Sequence, residues 1–212
     1  MSPYDIFRYL SYISALSVLI PISVFAGIRR LTVQYRILLS YLVLSALADG
    51  ISYYIVSVLH TGNALIFHGF RIVEVLLLSA FYFEEYKWGK TWCVLFLCII
   101  ASIRLALWSF IPEDDNFIFN ILSKTLLTGF GIYYFLRLFD RLDVPNLFQH
   151  AFFWINCAIL FYFGVTLLIG IFEIFIKEIS GVIGRFLWAI QLLCNTFFYF
   201  ILAVGLWKKK GS

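Results

Sequence analysis

Seven stretches of this chain, each about 20 residues long, are nearly devoid of charge, and that spacing limits the fold more than any other property. They fall near residues 8–28, 36–58, 65–84, 91–111, 116–138, 151–173 and 183–206. An α-helix rises about 1.5 Å per residue and the hydrocarbon core of a bilayer is roughly 30 Å thick, so each stretch is long enough to cross it as a helix. The segments between them hold charges and turn formers: Arg29-Arg30, Thr61-Gly62-Asn63, Lys87 to Lys90, Pro112 to Asn116, Asp140 to Pro145 and Lys177 to Gly184. None has room for a soluble domain. Composition closes the alternative, because 63% of the 212 residues are hydrophobic and only 13% are charged. Soluble domains run about 45–50% apolar and about 25% charged, and a globule this rich in Phe, Leu and Ile would face water with contiguous apolar patches. The expected fold is all-α: a polytopic integral membrane protein, one transmembrane domain over 1–212 forming a seven-helix bundle in a plasma membrane or bacterial inner membrane.

Orientation follows from the basic residues, which are retained on the cytoplasmic side. With the N-terminus outside, the inner segments hold ten of them: Arg29, Arg30, Arg36, Lys87, Lys90, Arg137, Arg141 and Lys208 to Lys210. The outer segments hold three, Arg8, Lys177 and Arg185. The prediction is N-outside and C-cytoplasmic. Tryptophans prefer the headgroup level, and Trp88, Trp92, Trp154 and Trp207 fall at predicted inner ends, with Trp108 and Trp188 near outer ends. Val24-Phe25-Ala26 has the spacing of a signal-peptide cleavage site, but Asp5 offsets Arg8 and the apolar run is too long, so the first span is expected to be kept. Cys93, Cys98, Cys157 and Cys194 all lie within spans and read as small buried apolar residues.

Five charges lie inside spans: Asp49, Arg71, Glu74, Arg104 and Lys124. Each costs on the order of 2.5–3.5 kcal/mol at the bilayer centre on insertion scales, so each needs a reason. Measured along the helices, all five fall between mid-plane and roughly 5 Å toward the outside, forming one layer. Arg71 and Glu74 are i and i+3 and can pair on one helix, with His68 one turn further out. Asp49 is on the preceding antiparallel helix, so Asp49 with Arg71 is the expected cross-helix pair. Asn120, one turn from Lys124, and Gln191 and Asn195, i and i+4 on span seven, add polar groups at that depth. Tyr162 and Thr166 lie at a similar level, over an inner half that is apolar apart from a few hydroxyls and Asn156. The pattern predicts a cavity that opens outward.

The surplus of cations in this layer points to a small anionic or amphiphilic ligand. The leading expectation is therefore a sensor or receptor-like binding protein whose ligand-binding residues are Asp49, His68, Arg71, Glu74, Arg104, Asn120, Lys124, Gln191 and Asn195. Lacking a soluble output domain, it would need a cytoplasmic or membrane signalling partner, and its basic inner rim at Lys208 to Lys210 would face anionic lipid. The first alternative is a secondary transporter, possibly coupled to protons through Asp49 or Glu74, with Pro21, Gly50, Gly129, Gly131, Gly164 and Gly170 as bending points. No broken helix pair and no clear repeat is expected, although Ile66-Phe67 with Phe81-Tyr82-Phe83 matches the spacing of Ile118-Phe119 with Tyr133-Tyr134-Phe135. The second alternative is a membrane-embedded enzyme built on Asp49, Glu74 and His68. No cofactor or metal is expected, since His60, His68 and His150 are scattered and no nucleophile elbow or phosphate loop is present. A net charge of +4, dispersed along the chain, excludes nucleic acid as a partner.

Seven spans invite comparison with rhodopsins and G-protein-coupled receptors. Span seven lacks the mid-helix Lys of a retinal Schiff base. Asn195-Thr196-Phe197-Phe198-Tyr199 is similar to the receptors' Asn-Pro-x-x-Tyr motif with Thr in place of Pro, but the inner end of span three reads Glu84-Glu85-Tyr86 without Arg. No Pro-Gln pair of the kind found in PQ-loop transporters occurs. These isolated residues assign no family.

Overall fold

The computed structural model describes residues 3–28, 31–87, 89, 91, 94–96, 98–100, 102, 117–141, 146–176 and 181–210. Among these residues the chain is all-α, without a strand. The helices are α1 (Pro3–Ser17), α2 (Leu19–Phe25), α3 (Val33–Tyr54), α4 (Ala64–Tyr86), α5 (Phe117–Arg141), α6 (Ala151–Ile176) and α7 (Gly181–Lys210). Among the described residues five helical stretches are long and apolar enough to cross a membrane: Ile6–Phe25, Val33–Leu59, Ala64–Tyr86, Ala151–Phe172 and Ile183–Lys210. The expected run near 116–138 is α5, whose 25 residues give ample length. Asn120, Lys124, Thr125 and Thr128 make it more polar than those five. The expected run near 91–111 lies largely outside the described residues.

The first span departs from the uninterrupted helix expected over 8–28. It breaks at Val18, between α1 and α2. Pro21 has no N–H to return to the Ser17 carbonyl, so the helical ladder loses a rung there, and the Ser17 hydroxyl turns back to the Ser14 carbonyl at 2.6 Å. α3 ends differently, widening into a π-helical turn over Ile55–Leu59 that stops at His60 in the left-handed region, φ 50°. Lys87 closes α4 in the same conformation, φ 55°. A left-handed residue after the last turn is a common helix stop, usually filled by Gly.

The chain groups into two compact units, one made of residues 1–29 with 124–212 and the other of residues 30–123. In the second, α3 and α4 form an antiparallel hairpin joined by three polar links at different heights. Gln34 Nε2 donates to Glu85 Oε2 at 2.8 Å, the Tyr41 hydroxyl donates to Glu74 Oε1 at 3.3 Å, and Asn63 Nδ2 donates to Ser52 Oγ. As position rises on α3 it falls on α4. Between the links Leu38, Leu42, Val75, Leu78 and Phe81 are buried at helical spacing.

In the first unit α7 packs against α6 and against α1 and α2. The approach of α7 to α6 requires Gly205, because a Cβ there would lie 2.9 Å from Ile155 Cγ1 and 3.0 Å from the Ala151 carbonyl oxygen. One turn and more away, Tyr162 stacks on Phe198 with centroids 4.9 Å apart. α5 runs antiparallel to α6, since Asn156 Nδ2 donates to the Gly131 carbonyl at 3.1 Å and Tyr134 meets Phe152 at 4.7 Å. α1 and α2 run parallel to α7: Phe7 meets Trp188, Ser14 meets Asn195, and the Lys210 side chain folds over Gly27.

The outer faces are apolar in both units. Leu44, Leu47 and Ile51 of α3, Leu168 and Phe172 of α6, and Phe186, Phe197 and Phe200 of α7 are all exposed. A surface of this kind suits hydrocarbon rather than water. Among the described cysteines Cys194 is buried, Cys157 half-buried and Cys98 exposed, so a uniform buried role does not hold for them. Cys93 lies outside the described residues.

Candidate functional site

The polar groups of the expected layer divide between the two units. In the α3–α4 hairpin, Glu74 sits at the middle of α4 because the apolar stretch around it places it there, and the helix turns its carboxylate toward α3. Arg71 Nη1 donates to Glu74 Oε2 at 2.9 Å, closing the expected i,i+3 ion pair. The other carboxylate oxygen takes the Tyr41 hydroxyl, and the Tyr41 ring stacks on Phe70, centroids 6.2 Å apart. The ion pair is lopsided: the Glu74 side chain is 3% exposed and that of Arg71 23%.

Asp49 does not pair with Arg71, contrary to the cross-helix expectation. The guanidinium is drawn to the acid on its own helix, which i,i+3 spacing brings within reach without any helix packing. Asp49 is half-buried. His68, one turn before Arg71 on α4, is also half-buried.

The remaining candidates lie elsewhere. Lys124 of α5 is buried, and its ammonium donates to the Thr166 carbonyl of α6 at 3.0 Å. A helical carbonyl is ordinarily screened by the side chain one turn on. Here that residue is Gly170, where a Cβ would only touch Lys124 Nζ, at 3.9 Å. The Thr166 hydroxyl is turned away to the Tyr162 carbonyl at 2.8 Å. Asn195 Nδ2 donates to Ser14 Oγ of α1 at 2.9 Å, and Gln191, one turn earlier on α7, is half-buried. Asn120, one turn before Lys124, has its side-chain oxygen enclosed and without a hydrogen-bond partner. Arg104 lies outside the described residues.

Tyr41, Ser14, Gln34 and Glu85 were not among the residues singled out from sequence, yet each holds a polar contact within its unit. Tyr41 had a readable signal: a turn of only a few residues after α3 fixes the hairpin register and puts Tyr41 opposite Glu74. Ser14 had none, since its partner is 181 residues away. Among the described residues no three His, Cys, Asp or Glu side chains gather into a group able to hold a metal. Comparison of the chain with protein-family models, with curated proteins and with solved structures found no match.

Proposed function

We propose that this chain is a seven-span membrane protein, N-outside and C-cytoplasmic, that acts as a sensor or receptor-like binding protein for a small anionic or amphiphilic ligand. Direction of travel supports seven spans. Seven residues, 26–32, join α2 to α3, and at most about 3.6 Å each they fall short of a roughly 30 Å core. Hence α3 returns, and α4 returns again. Since α7 runs with α1, and α6 and α5 alternate from it, α5 must start on the side where α1 starts. The span expected near 91–111, which lies largely outside the described residues, would supply the remaining crossing between α4 and α5. The ten-to-three division of basic residues supports the orientation.

The observation that carries the binding reading is the lopsided ion pair. The hairpin is already linked at both ends and packed between, and a buried ion pair is often replaceable by apolar residues at no loss of stability. A charged pair kept at mid-helix is therefore a candidate for function. Glu74 is closed off and held on both oxygens, while Arg71 keeps accessible surface. A guanidinium has five N–H donors, and a carboxylate or phosphate can add to the exposed side without displacing Glu74. The Lys208 to Lys210 rim then faces anionic lipid and a signalling partner.

The test is thermal unfolding of purified protein in detergent with anionic metabolites and anionic amphiphiles, beside an Arg71→Gln/Glu74→Gln double variant that removes both charges together. Ligand at 100 times its dissociation constant adds about 2.7 kcal/mol. A shift in the parent that vanishes in the variant is expected; no shift with any compound, or an equal shift in both proteins, overturns the reading. One observation favours transport as the second reading: the hydrogen-bond ladder of the first span is interrupted at Pro21. Ligand flux into proteoliposomes that stops with Asp49→Asn would replace the sensor with a transporter.

A further inference from the structure

Three polar links fix the register of the α3–α4 hairpin: Gln34 is level with Glu85, Tyr41 with Glu74 and Ser52 with Asn63. The middle link divides the seam into a segment about 10 Å long toward Gln34 and one about 16 Å long toward Ser52. The two are packed differently. Toward Gln34, large side chains of both helices are enclosed: Leu38 of α3 and Leu78, Phe81 and Tyr82 of α4 are all 0% exposed. Beyond Leu42, toward Ser52, the buried residues of α3 are Ser45, Ala48 and Ser52, all small. Opposite them, none of residues 64–73 of α4 is buried, and the π-helical turn Ile55–Leu59 buries none either. Small side chains let membrane helices close on each other, but a closed seam would bury the opposing residues as well. The segment toward Ser52 is therefore not closed by packing.

The bond from Asn63 to Ser52 ties the far end of that segment, and a hydrogen bond between membrane helices is a weak tie. Segments with little buried apolar packing are the ones that open first. We propose that the segment is a clasp: α3 and α4 part toward His60, with the Tyr41–Glu74 contact as pivot and the Asn63–Ser52 bond as latch, and an anion reaches Arg71 by that way. The inference rests on the binding reading above and says how its site is reached. Glu74 stands at the pivot and Arg71 on the clasp side of it, so parting bares the guanidinium while the carboxylate stays held. The hydroxyls of Ser45 and Ser52, enclosed in the closed seam, meet water and the anion when it parts. In the proposed orientation this end of the hairpin faces outside. The tightly packed segment toward Gln34 keeps the inner side shut.

Cysteine accessibility tests it in the full chain in membrane vesicles, with Cys93, Cys98, Cys157 and Cys194 replaced by Ala. Ser45→Cys places a thiol in the clasp and Ser79→Cys one in the packed segment; both exchanges are nearly isosteric, at residues 4% and 0% exposed. The probe is a methanethiosulfonate bearing a sulfonate, a small anion that reacts with a thiolate and so reports water at the sulfur. Modification at 45 at least about tenfold faster than at 79 is expected. Adding Asn63→Ala should speed it about threefold more at 45 and leave 79 unchanged. Equal rates at 45 and 79, no reaction at either, or no effect of Asn63→Ala overturns the clasp, and the binding reading then still stands or falls on its own thermal shift. Fast reaction at 45 with no thermal shift from any compound removes the binding reading and leaves the clasp. Should Ser45→Cys fail to fold, hydrogen exchange in the unsubstituted chain decides: amides of residues 66–73 exchanging at least about tenfold faster than those of 75–82 support the clasp, and equal protection overturns it.

Discussion

Among the described residues the two units each bury one charged side chain, Glu74 in the α3–α4 hairpin and Lys124 on α5, and they satisfy it in opposite ways. Glu74 is neutralised by a cation three residues away on its own helix, with Tyr41 adding one bond from α3. Lys124 reaches across to a backbone carbonyl on α6, a neutral acceptor. The acid's solution is largely local and would survive separation of the helices. The base's solution exists only while α5 and α6 are packed.

That contrast predicts unequal losses. Arg71→Met leaves a closed-in carboxylate without its cation and should cost about 3 kcal/mol, the low end for breaking a buried pair because Arg71 is partly exposed. The midpoint of unfolding in a denaturing-detergent titration measures it, and a loss below about 1 kcal/mol would erase the distinction between the two units. Adding Glu74→Leu to the same protein should return stability to within about 1 kcal/mol of the parent, since no uncompensated charge remains. Gly205→Leu comes next, at about 1–3 kcal/mol, because its side chain would meet Ile155 and the Ala151 carbonyl of α6. The same titration reads it.

Lys124→Met should change stability by less than about 1 kcal/mol in either direction. The Thr166 carbonyl it releases stays in a helical ladder, and an ammonium no longer has to be held in the interior. A loss as large as that of Arg71→Met would mean the two charges are held alike. The smallest effects belong to the cross-helix bonds: Asn195→Ala and Tyr41→Phe should each cost about 0.6 kcal/mol, typical of hydrogen bonds between membrane helices. A larger loss for Tyr41→Phe than for Asn195→Ala, by thermal unfolding in one detergent, would show that Tyr41 serves the ion pair rather than the hairpin.

Much of this arrangement could be read from residue order. Of the seven apolar runs expected to span, five are helices of spanning length and apolarity among the described residues, and the spacing of Arg71 and Glu74 gave their pair. Both rest on geometry within one helix, where rise and turn are constant. The Asp49–Arg71 pair was misread because equal depth does not ensure that two side chains face each other, and the acid on the same helix was nearer. The break at Val18 was legible in Pro21, yet a proline in an apolar run was read as a bending point and not as the end of a hydrogen-bonded segment.

Counting residues thus settles length, approximate depth and contacts one turn apart, because the backbone enforces them whatever surrounds the helix. Which neighbour each face meets depends on shape: Gly205 admits α6, Lys124 reaches the Thr166 carbonyl, and Ser14 receives Asn195 from the far end of the chain. Such choices are made where side-chain volumes fit together across helices, and residue order along a single helix does not encode its rotation about its own axis.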